Sequence, residues 1–371
     1  MKVMSIFGTR PEAIKLAPVI RAFELEPSVE HITCVTGQHR EMLDQVLGLF
    51  RIKPAFDLNV MRPRQKLSEL SANVLQTVDN VLAETNPDWV IVQGDTTSAF
   101  AAGLAAFHRK INVAHVEAGL RTGNIMSPWP EEMNRRLLTP ITSLHFPPTA
   151  RSQANLLAEN VHPDRIVVTG NTVIDALYSI VDRLDQEPTL RERAGRGMSF
   201  LSDERRLILV TGHRRENFGE GLRQICIAIK ALAERGDVDI VYPVHLNPSV
   251  QEVVHEMLGN ALNVHLIPPL EYLSFVYLLK HAYIVITDSG GIQEEAPALD
   301  KPVLVTRDST ERPEAVDAGS ARLVGPSADR LLTEARRLLD DPVAYADMIK
   351  GGSPYGDGHA ARRIVERIMA G

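Results

Sequence analysis

The stretch Val3-Met4-Ser5-Ile6-Phe7-Gly8-Thr9-Arg10-Pro11-Glu12-Ala13-Ile14-Lys15-Leu16-Ala17-Pro18-Val19-Ile20 holds a short apolar run, a polar turn and an amphipathic segment, in that order. Val3–Phe7 is almost continuously hydrophobic, which is how a strand buried on both faces reads. Ala13, Leu16, Ala17, Ile20 and Phe23 then recur at the spacing of one helix face, and Pro11 suits a first helical turn. Pro18 interrupts that face and predicts a kink or a shortened hydrogen-bond ladder. Strand, turn and helix in this order predict a parallel sheet covered by helices.

The pattern repeats along the chain. Val3–Phe7, His31–Thr36, Asp88–Gln93, Asn112–Val116, Ser143–Phe146 and Ile166–Thr169 are the strand candidates of the first half. Leu207–Thr211, Asp239–Val244, Val264–Ile267, Tyr283–Thr287 and Pro302–Thr306 are those of the second. The polar stretch Asp182–Glu204 separates the two series, which places a domain boundary between Asn171 and Asp182. Two doubly wound α/β domains follow, 1–172 and 173–357, with an amphipathic closing helix in 358–371. The length of 371 residues agrees with two domains at roughly 150 residues each.

Composition narrows the function classes. Lys+Arg 40 against Asp+Glu 47 gives −7, which argues against nucleic acid or an anionic membrane as the main partner. Two cysteines far apart, Cys34 and Cys226, make a disulfide framework or a zinc–thiolate site a poor expectation and fit a reducing compartment. No apolar run approaches the ~18 residues of a membrane span, and the first is too short for a signal sequence. A soluble cytoplasmic protein is the expectation. No G-x-G-x-x-G follows the first strand, and neither a P-loop nor an HExxH string occurs, so neither nicotinamide nor a catalytic metal is expected.

Polar and Gly-rich residues gather just after predicted strands, at the sheet edge where ligands bind in open α/β folds. Asp288-Ser289-Gly290-Gly291 opens a segment of helical character running from Ile292 to Ala296. Two glycines admit a ligand close to the backbone, and free N–H groups at a helix start attract phosphate. A Gly-rich turn that only lets helix and strand pack reads equally well. Arg10, Lys15 and Arg312 are candidates to neutralise a diphosphate, or are simply surface cations. Asp95 and Glu117 each follow a strand directly, and with Glu131 they form a candidate acid/base set. A neighbouring carboxylate or an apolar wall would raise such a pKa. The ordinary alternatives are helix capping by Asp95 or Thr96 and a first-turn helix charge at Glu131. His213, crowded by Arg214, Arg215, Glu216 and Asn217, could donate to a phosphate oxygen or shuttle a proton.

Taken together the strings resemble one family. They are Gly8-Thr9-Arg10-Pro11-Glu12-Ala13, Thr36-Gly37-Gln38-His39, Gln93-Gly94-Asp95-Thr96, His115 to Arg121, Pro130 to Arg135, Gly212 to Asn217, Asp288 to Pro297 and Thr310 to Glu314. In order and over nearly the whole chain, these resemble the bacterial non-hydrolysing UDP-N-acetylglucosamine 2-epimerases. The resemblance implies the GT-B architecture: two Rossmann-like domains facing a central cleft, a C-terminal helix returning to the first domain, and a homodimer. It implies reversible interconversion of UDP-GlcNAc and UDP-ManNAc through elimination of UDP, a 2-acetamidoglucal and re-addition; the alternatives are a hydrolysing 2-epimerase that releases ManNAc and UDP, or a GT-B glycosyltransferase. Asp95, Glu117 and Glu131 would then move protons, with His213 beside the departing diphosphate. Arg10, Ser289, Gly290 and Gly291 would hold the diphosphate, Glu295 the ribose and Phe275 the uracil, completed by Lys15 and Arg312. A second, activating UDP-GlcNAc is implied at Gln38, Gln65, Glu131, Arg214 and His245.

Overall fold

The structure, a computed structural model, describes residues 1–37, 40–62, 64–201, 204–212 and 217–371. The chain divides into two compact units, Met1–Ala176 with Tyr355–Gly371, and Leu177–Pro354. In the first, β1 (Lys2–Phe7), β2 (Glu30–Val35), β3 (Phe56–Asp57), β4 (Trp89–Gln93), β5 (Asn112–Val116) and β6 (Leu144–Phe146) form a parallel sheet. Their order is β3-β2-β1-β4-β5-β6. In the second, β7 (Arg206–Thr211), β8 (Val238–Pro243), β9 (Val264–Ile267), β10 (Ala282–Thr287), β11 (Val303–Val305) and β12 (Ala321–Leu323) are again all parallel. That order is β12-β11-β10-β7-β8-β9.

Counted from each unit's own first strand, both sheets run 3-2-1-4-5-6, the doubly wound order. Strand order reverses between β1 and β4 in one and between β7 and β10 in the other. The sheet centres are dry because their strands are apolar on both faces: Val3, Met4, Ile6, Phe7, Val90 and Ile91 are fully buried, as are Ile208, Leu209, Ile284 and Val285. Each such side chain contributes about 1.5–3 kcal/mol of transfer free energy.

The helix Arg10–Glu24 starts on a capping box. Glu12 Oε2 accepts from the N–H groups of Gly8 at 3.0 Å and Thr9 at 2.8 Å. The helix runs unbroken through Pro18, so the cost of that residue is one missing donor to the ladder. The two short outer strands β3 and β12 escape a search for apolar runs, since each presents mostly half-exposed residues. Ile166–Thr169 forms no strand; Ile166 makes only an isolated parallel bridge to His145. The polar stretch Asp182–Glu204 contains the end of the helix Thr172–Gln186 and the helix Pro188–Ala194.

The helix Thr172–Gln186 carries the chain out of the first unit, and Tyr355 brings it back. The returning helix Ala360–Met369 packs on the helix Arg10–Glu24 and buries Ile364, Val365 and Ile368. Its start is pinned where Asp175 Oδ1 accepts from the Ala361 N–H at 2.8 Å, and Arg363 Nη1 donates to the Thr169 carbonyl at 2.9 Å. Cys34 and Cys226 are buried free thiols, both pushed up to about 12 by burial. No helix among the described residues is long and apolar enough to cross a membrane.

Candidate active site

In the first unit, the residues after β1, β4 and β5 form one connected polar cluster. Gly94 turns the chain after β4 at φ 68°, and Glu117 follows β5 at φ 62°. That conformation costs a residue with a side chain about 1 kcal/mol or more, so the surroundings must hold Glu117 there. They do so through its carboxylate. Lys15 Nζ lies 2.5 Å from Oε1, Asn171 Nδ2 donates to Oε1 at 2.9 Å, and Gln93 Nε2 donates to Oε2. Three donors, one of them an ammonium, suit an acceptor-only carboxylate. The apolar wall or neighbouring carboxylate expected from sequence is therefore not what encloses Glu117.

Asp95 is held by a cation. Arg135 Nη2 lies 2.6 Å from its Oδ2, Arg135 Nη1 reaches the buried Glu132 at 3.4 Å, and Asn134 donates to the Asp95 carbonyl at 2.9 Å. The helix Glu131–Ile141 is thereby tied to the β4 turn, with Glu131 half-buried as its first residue. Capping of the helix Thr97–His108 falls to Thr96, whose hydroxyl accepts from the Ala99 N–H at 3.0 Å; Asp95 does not cap it. Thr96 also donates to Glu12 Oε1 at 2.6 Å, so Glu12 links the β1 turn to the β4 turn across the reversal point. Burial raises the Glu12 pKa above the usual carboxylate range, against the pull of those hydrogen bonds. Beneath them, burial depresses His115 to about 4. A neutral ring facing a carbonyl must donate, so His115 Nε2–H fixes the Gly94 oxygen at 2.6 Å. Arg10 stands at the first turn of the helix after β1, where a cation opposes the helix dipole.

In the second unit the decisive element is the helix Gly290–Ala298. Ser289 is its N-cap, makes no capping bond with its side chain, and donates its N–H to Thr287 Oγ1 at 2.9 Å. Gly291 has ordinary backbone geometry, and a Cβ added there would meet nothing within 4 Å. Neither conformation nor packing inside this unit asks for glycine at that position. Glu294 and Glu295 are buried one turn on. Glu294 pairs with Arg312, and Glu295 Oε1 accepts from Tyr272 at 2.7 Å. Phe275 lies one turn along from Tyr272 in the helix Tyr272–His281, half-buried. Asp288 is buried and accepts from Asn217 Nδ2 at 3.3 Å.

The sequence-predicted residues are thus distributed unequally. Arg10, Lys15, Asp95, Glu117 and Glu131 fall in one unit, and Phe275, Ser289, Gly290, Gly291, Glu295 and Arg312 in the other. Lys15 and Arg312, expected as loose cations for a diphosphate, are each engaged by a carboxylate. Gln65 lies in an open depression with Arg62, Arg64 and Asn73, and His245 is exposed with Nδ1 accepting from the Asn247 N–H at 3.2 Å. Gln38, His213 and Arg214 lie outside the described residues. Sequence reasoning passed over Glu12, Gln93, Arg135 and Asn171. The first three stand inside the quoted strings, while Asn171 was read only as a domain limit. No group of three or more metal-ligating side chains occurs among the described residues.

Two sheets of doubly wound order, one bearing carboxylates at its reversal point and the other a glycine-opened helix, define an α/β protein of the GT-B class. The model of the UDP-N-acetylglucosamine 2-epimerase family matches residues 21–369, and the chain belongs to that family. It is 54% identical to the UDP-N-acetylglucosamine 2-epimerase of Escherichia coli (strain K12), over 99% of this chain and 98% of that protein. Among solved structures, a UDP-GlcNAc 2-epimerase from Neisseria meningitidis bound to UDP-GlcNAc matches with TM-score 0.92 and 49% identity, covering both chains fully. One from Methanocaldococcus jannaschii, in complex with UDP-GlcNAc and UDP, matches with TM-score 0.82 and 33% identity, again over 100% of each chain.

Proposed function

We propose that this chain interconverts UDP-GlcNAc and UDP-ManNAc by elimination and re-addition of UDP. The observation that carries the reading is the pair of furnished reversal points. Asp95 follows β4 at one, with Glu117 after the neighbouring β5, and Gly291, whose freedom the unit itself does not need, opens a helix at the other. The C2 proton of such a sugar is not beside a carbonyl and is not acidic, so direct inversion is closed to it. A base takes the proton, the C–H electron pair becomes the C1–C2 double bond, and the C1–O pair leaves with UDP. UDP then returns to C1 of the 2-acetamidoglucal while C2 is protonated from the other face.

Asp95, Glu117 and Glu131 are the proton-carrying set, with His213 beside the leaving diphosphate. Gly290 and Gly291 offer backbone N–H groups to that diphosphate and Ser289 its side-chain hydroxyl, joined by Arg10, which stands at a helix start where an anion is favoured. Glu295 takes the ribose and Phe275 the uracil; Arg312, through Glu294, and Lys15, through Glu117, orient the carboxylates next to them. Gln38, Gln65, Glu131, Arg214 and His245 form a second, activating site for UDP-GlcNAc. The enzyme acts as a cytoplasmic homodimer and supplies ManNAc units for polysaccharide biosynthesis. Incubation with UDP-GlcNAc and chromatography of the nucleotide sugars tests the reaction: UDP-ManNAc is expected. Free ManNAc with UDP would mean a hydrolysing enzyme, and unchanged substrate would remove the reading altogether.

A further inference from the structure

We infer that Asn171 is a positioning residue for Glu117, holding that carboxylate ionised and aimed, and that it does so from the point where the chain leaves and re-enters the first unit. The inference deepens the proposed reaction and rests on it for the role of Glu117.

Every polar group of Asn171 is assigned by its surroundings. Its N–H donates to the Tyr355 carbonyl at 2.6 Å, and its own carbonyl accepts from the Ile174 N–H at 3.1 Å. Its side-chain oxygen accepts from the Val173 N–H at 3.1 Å, which leaves the amide nitrogen to donate, and it does so to Glu117 Oε1 at 2.9 Å. The amide therefore cannot turn over without losing both bonds. The residue is buried, so neither bond is exchanged cheaply for water.

Its placement is held from behind. A Cβ on Gly170 would lie 3.1 Å from Gly356 Cα and 3.3 Å from the Tyr355 oxygen, and Gly170 sits at φ 88°. The outgoing and returning segments thus pass in contact, with Tyr355 buried against them. The Asn171 side chain connects that crossing to Glu117.

Substitution by aspartate isolates the contact. Asn171→Asp keeps the size and the side-chain oxygen that caps Val173, but turns a donor to Glu117 into a second carboxylate. Among the described residues, the charged and titratable groups tied to Glu117 include Lys15 from the helix after β1 and His115 on the strand that precedes it, which also feels Arg121 and Arg135. With Lys15 shared between two carboxylates, one of them is driven to take a proton, and the titration belongs to the pair.

The experiment is a pH titration of the Glu117 carboxyl by 13C NMR in glutamate-labelled wild type and Asn171→Asp, with Glu117→Gln assigning the signal. It is paired with kcat and KM for UDP-GlcNAc across pH. The variant should move the Glu117 midpoint upward by about one pH unit or more. It should also displace the acid limb of kcat by a similar amount and lower kcat at least tenfold at neutral pH, with KM changed less than about threefold. An unmoved Glu117 midpoint would overturn the inference, whatever happens to melting temperature. A moved midpoint in a protein whose wild type does not epimerise would uphold the contact and overturn the proposed reaction instead. Asn171→Gln, which restores a donor on a longer arm, should recover part of the midpoint shift; no recovery with an intact fold counts against it.

Discussion

At Gly291 the chain keeps a residue that its own unit does not require. Its φ is ordinary, and a Cβ would meet open space. Replacing glycine by alanine in a helical first turn ordinarily stabilises by up to about 1 kcal/mol, because the unfolded chain loses freedom. Gly291→Ala should therefore leave the melting temperature equal or slightly higher while weakening UDP binding at least tenfold, measured by calorimetry. Unchanged affinity would show that no ligand approaches the backbone there. The same residue shows why the sequence left the glycine pair undecided: a ligand cradle and a packing turn share the same letters, and only the surroundings of the missing Cβ separate them. Glu117 teaches the reverse. Its place after a strand was legible from sequence, but the donors it meets among the described residues, Lys15, Gln93 and Asn171, lie far apart in the chain, and no local spacing announces that meeting.

Among the elements, the apolar strands were readable because burial on both faces leaves an uninterrupted hydrophobic run. The outer strands β3 and β12 lack that pressure. Phe56–Asp57 and Ala321–Leu323 are short and partly exposed, and they are strands only because β2 and β11 offer them a ladder. Ile166–Thr169 fails in the opposite sense: it is apolar enough, and Val167 and Thr169 donate to the carbonyls of His145 and Pro147, but the ladder goes no further than one bridge at Ile166. The closing helix was visible as an amphipathic face, yet its partner, the helix Arg10–Glu24, was not, because a face does not name what it covers. That packing has a measurable consequence. Ile364 is fully buried on that face, so Ile364→Ala should cost about 2–4 kcal/mol. Hydrogen exchange should rise both in Ala360–Met369 and in Arg10–Glu24. Loss of protection in the closing helix alone would contradict the packing.

At the scale of the whole molecule, buried histidines make the first unit the one expected to yield first to acid. His31, His115 and His145 lie in the first unit, and burial pushes them down to about 4, 4 and 3. Their ordinary value is near 6.5, so between those limits the unfolded chain binds more protons than the folded one. Their contribution to stability is then complete above pH ~6.5 and is lost as pH drops toward 4 and below. Hydrogen exchange at stepped pH should show β1, β2, β5 and β6 losing protection before the strands of Leu177–Pro354. The opposite order would mean that other groups govern acid unfolding.

In the proposed reaction the two units divide the labour, with carboxylates that move protons in one and a glycine-opened helix that retains UDP in the other. The most direct test of that reaction is proton NMR of the enzyme turning over UDP-GlcNAc in D2O. Removal and return of the C2 proton predicts UDP-ManNAc carrying deuterium at C2, with UDP retained on the sugar. UDP-ManNAc that keeps its original proton would contradict the proposed proton transfers.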